Sequence, residues 1–97
     1  MTEHPIIKPR TKEMLYIAQD GECAYCGKRV RMRNMTIDHA IPLSRGGTDG
    51  MENMRISCKM CNRLKGDMLP DEFTRFVCRI LEGSMRVEEE IREGRRT

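Results

Sequence analysis

Cys23-Ala24-Tyr25-Cys26 and Cys58-Lys59-Met60-Cys61 form two C-x-x-C pairs, separated by residues 27–57 and followed directly by Asn62. Each pair can place two thiolates on one tetrahedral metal, and four thiolates close the site, with no position left for water or substrate. A zinc held this way is structural, and its binding energy is folding energy. Two disulfides, or one redox-active C-x-x-C, are the other readings of the spacing. A fifth cysteine, Cys78, makes the count odd, which argues against a simple disulfide framework. Cys78 lies off the neighbouring apolar stripe and is expected to be a half-buried structural thiol. The interval between the pairs is longer than in zinc ribbons, so it should carry something functional.

The rest of the composition calls for such a staple. A chain of 97 residues has room for one domain, and this one has no Trp, two Phe, two Tyr and 34% charged residues against 38% hydrophobic. A core of that kind gives marginal stability without a metal or disulfides. The N-terminal stretch has no apolar run suited to a signal peptide or membrane span, so a cytoplasmic, non-membrane protein with reduced thiols is expected. Charge is uneven: residues 1–66 carry 12 Lys/Arg and 7 Asp/Glu, residues 67–97 carry 6 and 8. A basic front suits a polyanionic partner, because Lys and Arg replace phosphate counterions.

Along the chain, residues 1–10 read as an extended arm. Thr11 is placed to cap a helix with Met14, Leu15 and Ala18 on one face, ending at Gly21. Residues 28–35 read as a basic strand and loop, in which Arg31 and Arg33 alternate. Met35–His39 reads as a short strand, residues 46–53 as a glycine-bearing loop, and Met54–Ser57 as the returning strand. A short helix should follow the second cysteine pair and stop at Gly66. Pro70 suits the first turn of a last helix, with Asp71 and Glu72 at its positive end. Phe73, Phe76, Val77, Ile80 and Leu81 form an amphipathic stripe, read as core against the first helix. Gly83-Ser84 is expected to end or kink that helix. The organisation is therefore an arm (1–10), a central domain (11–82) and a polar C-terminal helix or tail (83–97).

Inside the cysteine frame stand Asp38-His39 at a strand end and Asn53 before the second strand, with Asn62 beside ligand Cys61. Phosphodiester hydrolysis needs a base near neutral pH, and an ordinary histidine, with a pKa of about 6.5, is one. It also needs a hard cation to stabilise charge on the phosphate and the leaving oxygen. Carboxylate and amide oxygens hold Mg²⁺ while leaving positions for water. Neighbours on a strand point to opposite sides, so Asp38 and His39 would divide the tasks of holding metal and addressing water.

Asp38-His39, Pro42, Gly46-Gly47, Asn53 and the run Cys58-x-x-Cys61-Asn62-x-x-Lys65-Gly66 together resemble the HNH endonuclease motif over roughly residues 11–81. The resemblance implies an α+β fold, a small ββα-metal (His-Me finger) domain stapled by a four-cysteine zinc site, with flanking N- and C-terminal helices. It implies a metal-dependent DNA endonuclease in which His39 is the general base. Asp38 and Asn62 would hold the catalytic divalent ion, and Asn53 would order the loop and help orient the histidine. The third motif letter, often His, is Asn62 here, an oxygen donor that favours Mg²⁺ or Mn²⁺ over softer ions. Arg45, Arg63 and Lys65 are candidates for phosphate contacts. The expected partner is double-stranded DNA, read with low sequence specificity, with room for a protein partner or a second copy. The competing reading is a non-catalytic, zinc-containing module that binds nucleic acid or serves a larger DNA-processing complex. A zinc hydrolase is disfavoured by the closed four-thiolate site.

Overall fold

The computed structural model describes residues 7–94. Its elements are helix α1 (Pro9–Ala18), strand β1 (Thr36–His39), strand β2 (Met54–Ser57), helix α2 (Lys59–Lys65) and helix α3 (Pro70–Arg92), with short 3₁₀ turns at Met32–Asn34, Leu43–Arg45 and Met51–Asn53. β1 and β2 pair antiparallel, with Thr36 opposite Ser57, Ile37 opposite Ile56, Asp38 opposite Arg55 and His39 opposite Met54. The expected strand–loop–strand–helix order is present, and the family of folds is α+β.

Two small clusters form the core. Leu15 of α1 packs with Met54 and Ile56 of β2, supported by Tyr16, Met35 and Ile37. Cys23, Val30 and Cys61 make the second, with Tyr25 and again Met35 against it. With so little apolar mass, backbone pairing is completed by side chains. Gln19, just after α1, accepts from the Ile56 amide at 2.8 Å and donates to the Ile56 carbonyl at 3.2 Å. The Ala24 amide donates to that same carbonyl at 3.0 Å. The outward-facing backbone groups of Ile56 are thereby satisfied without a third strand.

Several local expectations change. α1 starts at Pro9, with Lys8 as N-cap, because proline at the first helical position needs no amide partner; Thr11 lies inside the helix. Of its expected apolar face only Leu15 is buried. The first six residues of the expected arm lie outside the described residues. Residues 28–35 do not form a strand: the chain folds back as a knuckle, with one bridge between Glu22 and Arg29 and a 3₁₀ turn at Met32–Asn34. Here metal-ligand turn geometry overrides the alternation, and Cys23 N–H donates to the Lys28 carbonyl at 2.8 Å.

α3 departs most. It runs unbroken through Gly83-Ser84 to Arg92 and crosses the expected boundary at 82/83. Phe73 is buried and meets Tyr25 edge-on, with ring centroids 5.4 Å apart. Beyond Phe76 the stripe is open: Val77, Ile80 and Leu81 are exposed, so they do not cover α1. Cys78, expected to be half-buried, is exposed as well. A 23-residue helix spans about 34 Å, longer than the small body beneath it can cover. Among the described residues no helix is long and apolar enough to cross a membrane.

Candidate active site

The four expected zinc ligands converge. The sulfurs of Cys23, Cys26, Cys58 and Cys61 all lie within 4.8 Å of one another, with Cys26 and Cys58 3.9 Å apart. Zinc–sulfur bonds of about 2.3 Å in a tetrahedron require sulfur separations of about 3.8 Å, so the set could hold one zinc ion. The second pair forms at the start of α2, where Cys58 is the N-cap and its sulfur accepts from the Cys61 amide. Burial pushes the Cys23 thiol up, but backbone hydrogen bonds at Cys26, Cys58 and Tyr25 outweigh it and bring it to about 7. Burial and the neighbouring cysteines push Cys61 up.

The same frame holds the hairpin end. Asp38 points inward and is 5% exposed, while His39, the last residue of β1, faces the other way. Asp38 does not stand alone. Lys65 of α2, fully buried, sets its ammonium 3.3 Å from Asp38 Oδ2 and 3.4 Å from Oδ1. Lys65 also donates to the His39 carbonyl at 3.3 Å. The Tyr25 hydroxyl donates to Asp38 Oδ2. Burial first, and then the Asp38 carboxylate, push the Tyr25 phenol well above its ordinary value, so it remains a donor. A carboxylate offers about four lone-pair sites, and these three contacts leave about one of them, on Oδ1.

His39 Nε2 lies 3.2 Å from Asp49 Oδ1. A carboxylate only accepts, so Nε2 is the donor in this contact, and in a neutral imidazole the lone pair is then on Nδ1. Asn53 is buried, and its amide clamps the loop from inside. Its Oδ1 accepts from Ile41 N–H at 2.9 Å, and its Nδ2 donates to the carbonyls of Ile41 and Thr48 at 2.8 Å each. Its own carbonyl accepts from the amide of Ala40, next to His39, at 2.8 Å. Gly47 makes this closure sterically allowed, since a Cβ there would lie 1.7 Å from the Ile41 carbonyl oxygen.

Asn62 lies one residue past ligand Cys61 on α2, and three positions before Lys65, so both side chains leave the helix on neighbouring lines. Half-buried, it has no side-chain hydrogen bond among the described residues. Its free amide oxygen is a donor of the kind that suits a hard divalent ion.

The three expected phosphate contacts separate. Arg63 is exposed and unpaired among the described residues. Arg45 forms a two-pronged pair with Glu72, at 3.0 and 3.2 Å, which raises Arg45 and lowers Glu72 from their ordinary values. Lys65 is enclosed and its ammonium is held by Asp38, leaving it no face for a phosphate. Its ammonium lies inside, on the Asp38 carboxylate and the His39 carbonyl. Tyr25, Asp49 and the Lys65 contact escape a reading of residue types alone. Only Lys65, three residues after Asn62 on a helix, carried a sequence signal.

A sequence profile described as HNH endonuclease matches residues 23–77. The CRISPR-associated endonuclease Cas9 of Corynebacterium diphtheriae is 38% identical over 50 residues, which is 50% of this chain and 5% of that protein. The crystal structure of the Type II-C Cas9 enzyme from Actinomyces naeslundii is similar with a TM-score of 0.57 at 24% identity, covering 69% of this chain and 7% of that one. At that identity the likeness is one of fold. The chain spans only a small part of the length of either relative.

Proposed function

Because this chain belongs to the HNH endonuclease family, we propose that it hydrolyses DNA phosphodiester bonds with His39 as general base and a divalent ion held by Asp38 and Asn62. The observation that carries the reading is the division of the β1 end: Asp38 inward, on Lys65 and Tyr25, and His39 outward, with Nε2 on Asp49. Nδ1 of His39 takes the proton of the attacking water. The water oxygen bonds to phosphorus, and the bond from phosphorus to the leaving 3′-oxygen breaks. Asp49 keeps the imidazole in the tautomer that can accept, and Asn53 fixes the loop through Ile41 and Thr48 that returns the chain past His39.

The ion, when bound, stabilises negative charge on the phosphate and the leaving oxygen. Two oxygen donors favour Mg²⁺ or Mn²⁺. The zinc expected on the cysteines has a structural task only. Arg63 remains the phosphate contact of the original three, and Arg45 serves there only if substrate displaces Glu72. Double-stranded DNA with low sequence specificity is the proposed substrate, and the reduced cytoplasm the proposed setting.

Supercoiled plasmid incubated with Mg²⁺, Mn²⁺, Ni²⁺ or a chelator tests this, beside His39→Ala with its zinc content verified. Metal-dependent nicking by the parent, lost in the variant with zinc retained, is the expected result. DNA binding without cutting under any ion would favour the non-catalytic module instead.

A further inference from the structure

We propose that the groove beside the zinc cluster is a phosphate-backbone track, on which duplex DNA continues beyond the scissile phosphate. The groove measures about 560 Å³ and has Cys26, Cys58 and Cys61 in its lining. Lys28, Arg29, Arg31 and Lys59 line it, and no Asp or Glu does. All four cations are exposed, and none has a side-chain hydrogen bond or ion pair among the described residues. Arg45 and Lys65, by contrast, are tied to Glu72 and to Asp38. The four groove cations form an unneutralised positive cluster at the knuckle, within reach of the cysteine pairs.

Two features link this groove to the candidate active site. Lys59, Asn62 and Arg63 stand at positions i, i+3 and i+4 of α2, so the groove wall, the free amide and the exposed arginine share one side of a single helix. One helical turn, about 5.4 Å, separates Lys59 from Asn62 or Arg63 along the axis. The knuckle itself is covalently part of the site, since Tyr25 lies between ligands Cys23 and Cys26 and holds Asp38. A strand seated at Asn62 can then run past Arg63 and Lys59 onto Arg29, Lys28 and Arg31.

A simpler use of these cations would be to neutralise the zinc cluster. Zn²⁺ with four thiolates carries a charge of about −2, which four cations exceed, so a surplus faces solvent. The identification of the polyanion as DNA rests on the nuclease reading.

The test measures binding in zinc-loaded full chain without added hydrolysing ion, so it stands apart from catalysis. Fluorescence anisotropy of a labelled duplex is recorded from about 50 to about 200 mM salt for the parent, K28Q/R29Q/R31Q/K59Q, and a control of equal charge change on α3, R75Q/R79Q/R86Q/R92Q. Each phosphate contact contributes about 0.9 to the slope of log affinity against log salt. Loss of four contacts should flatten it by about 3.6, so that the parent loses about 150-fold more affinity than the groove variant over this range. The control should keep the parent slope. Equal slopes for groove variant and control would overturn the proposal. So would loss of zinc with the slope intact, absence of duplex binding by the parent, or tighter groove-dependent binding of a single-stranded RNA of the same length. If plasmid cutting fails but the slope change holds, the groove stands and only the catalytic reading falls.

Discussion

Lys65→Met removes one charge from the site while keeping a side chain of similar length. The Lys65 ammonium is fully buried, and its partner Asp38 is nearly so. At 3.3 Å and an effective dielectric constant of about 20, their attraction is about 5 kcal/mol. The substitution leaves a buried carboxylate with the Tyr25 hydroxyl as its remaining donor and strips a donor from the His39 carbonyl. Breaking a buried pair from one side costs about 3–5 kcal/mol, chiefly through the abandoned charge. Urea unfolding at saturating zinc measures it, with zinc content checked on each sample. The double variant Asp38→Asn/Lys65→Met separates this cause from lost packing. With both charges gone it should recover about 2 kcal/mol or more relative to the sum of the singles. A Lys65→Met protein within about 0.5 kcal/mol of the parent, or a double variant that is simply additive, would refute the positioning role.

Tyr25→Phe keeps the edge-on contact with Phe73 but withdraws the hydroxyl from Asp38; a loss of about 1–3 kcal/mol is expected in the same unfolding assay, and an unchanged midpoint would show that the hydroxyl is not needed. Gly47→Ala must displace the Ile41 carbonyl and crowd Asn53, whose Nδ2 would lie 2.9 Å from the new Cβ. It should cost about 1–3 kcal/mol and lower cleavage with zinc content intact, whereas parent-like behaviour would mean that the Asn53 clamp tolerates opening. Glu72 is held below its ordinary 4.5 by Arg45 and then by the Leu69 amide. A lowered carboxylate stabilises above its ordinary value and loses that contribution as pH falls through the lower folded one. Protection of the Leu69 amide, taken relative to its intrinsic exchange rate at each pH, should therefore fall as pH drops through that window, and high salt should blunt the effect because the pair is exposed. A Leu69 protection factor indifferent to pH there would argue that α3 does not depend on this cap.

The hairpin, α2 and the cysteine cluster were legible because each rests on local rules. A C-x-x-C turn, a glycine at a helix end and a short β-branched run carry their geometry in a few residues. Asn53 was legible only as a motif position; its clamp on Ile41 and Thr48 needed the folded loop. α3 was misjudged for a different reason. The stripe from Phe73 to Leu81 has helical spacing, which is identical whether the face meets a core or solvent, and the small body reaches only its first turns. Lys65 illustrates the limit most clearly. A lysine three residues after a candidate ligand looks like a surface cation, and only the proximity of Asp38 in space turns it inward. Asp49, in a loop ten residues after His39, had no pattern that marked it as that histidine's partner.

The proposed hydrolysing ion is a second metal, held by Asp38 and Asn62 and distinct from the zinc expected on the cysteines. Plasmid cutting by protein loaded with zinc and stripped of other metals tests it, as Mn²⁺ is titrated in and zinc is quantified on the same samples. No cutting at full zinc occupancy, activity rising with Mn²⁺, and a curve displaced to higher Mn²⁺ in Asn62→Ala at unchanged zinc are predicted. Full activity with zinc alone, or an Asn62→Ala curve that overlays the parent's, would contradict it.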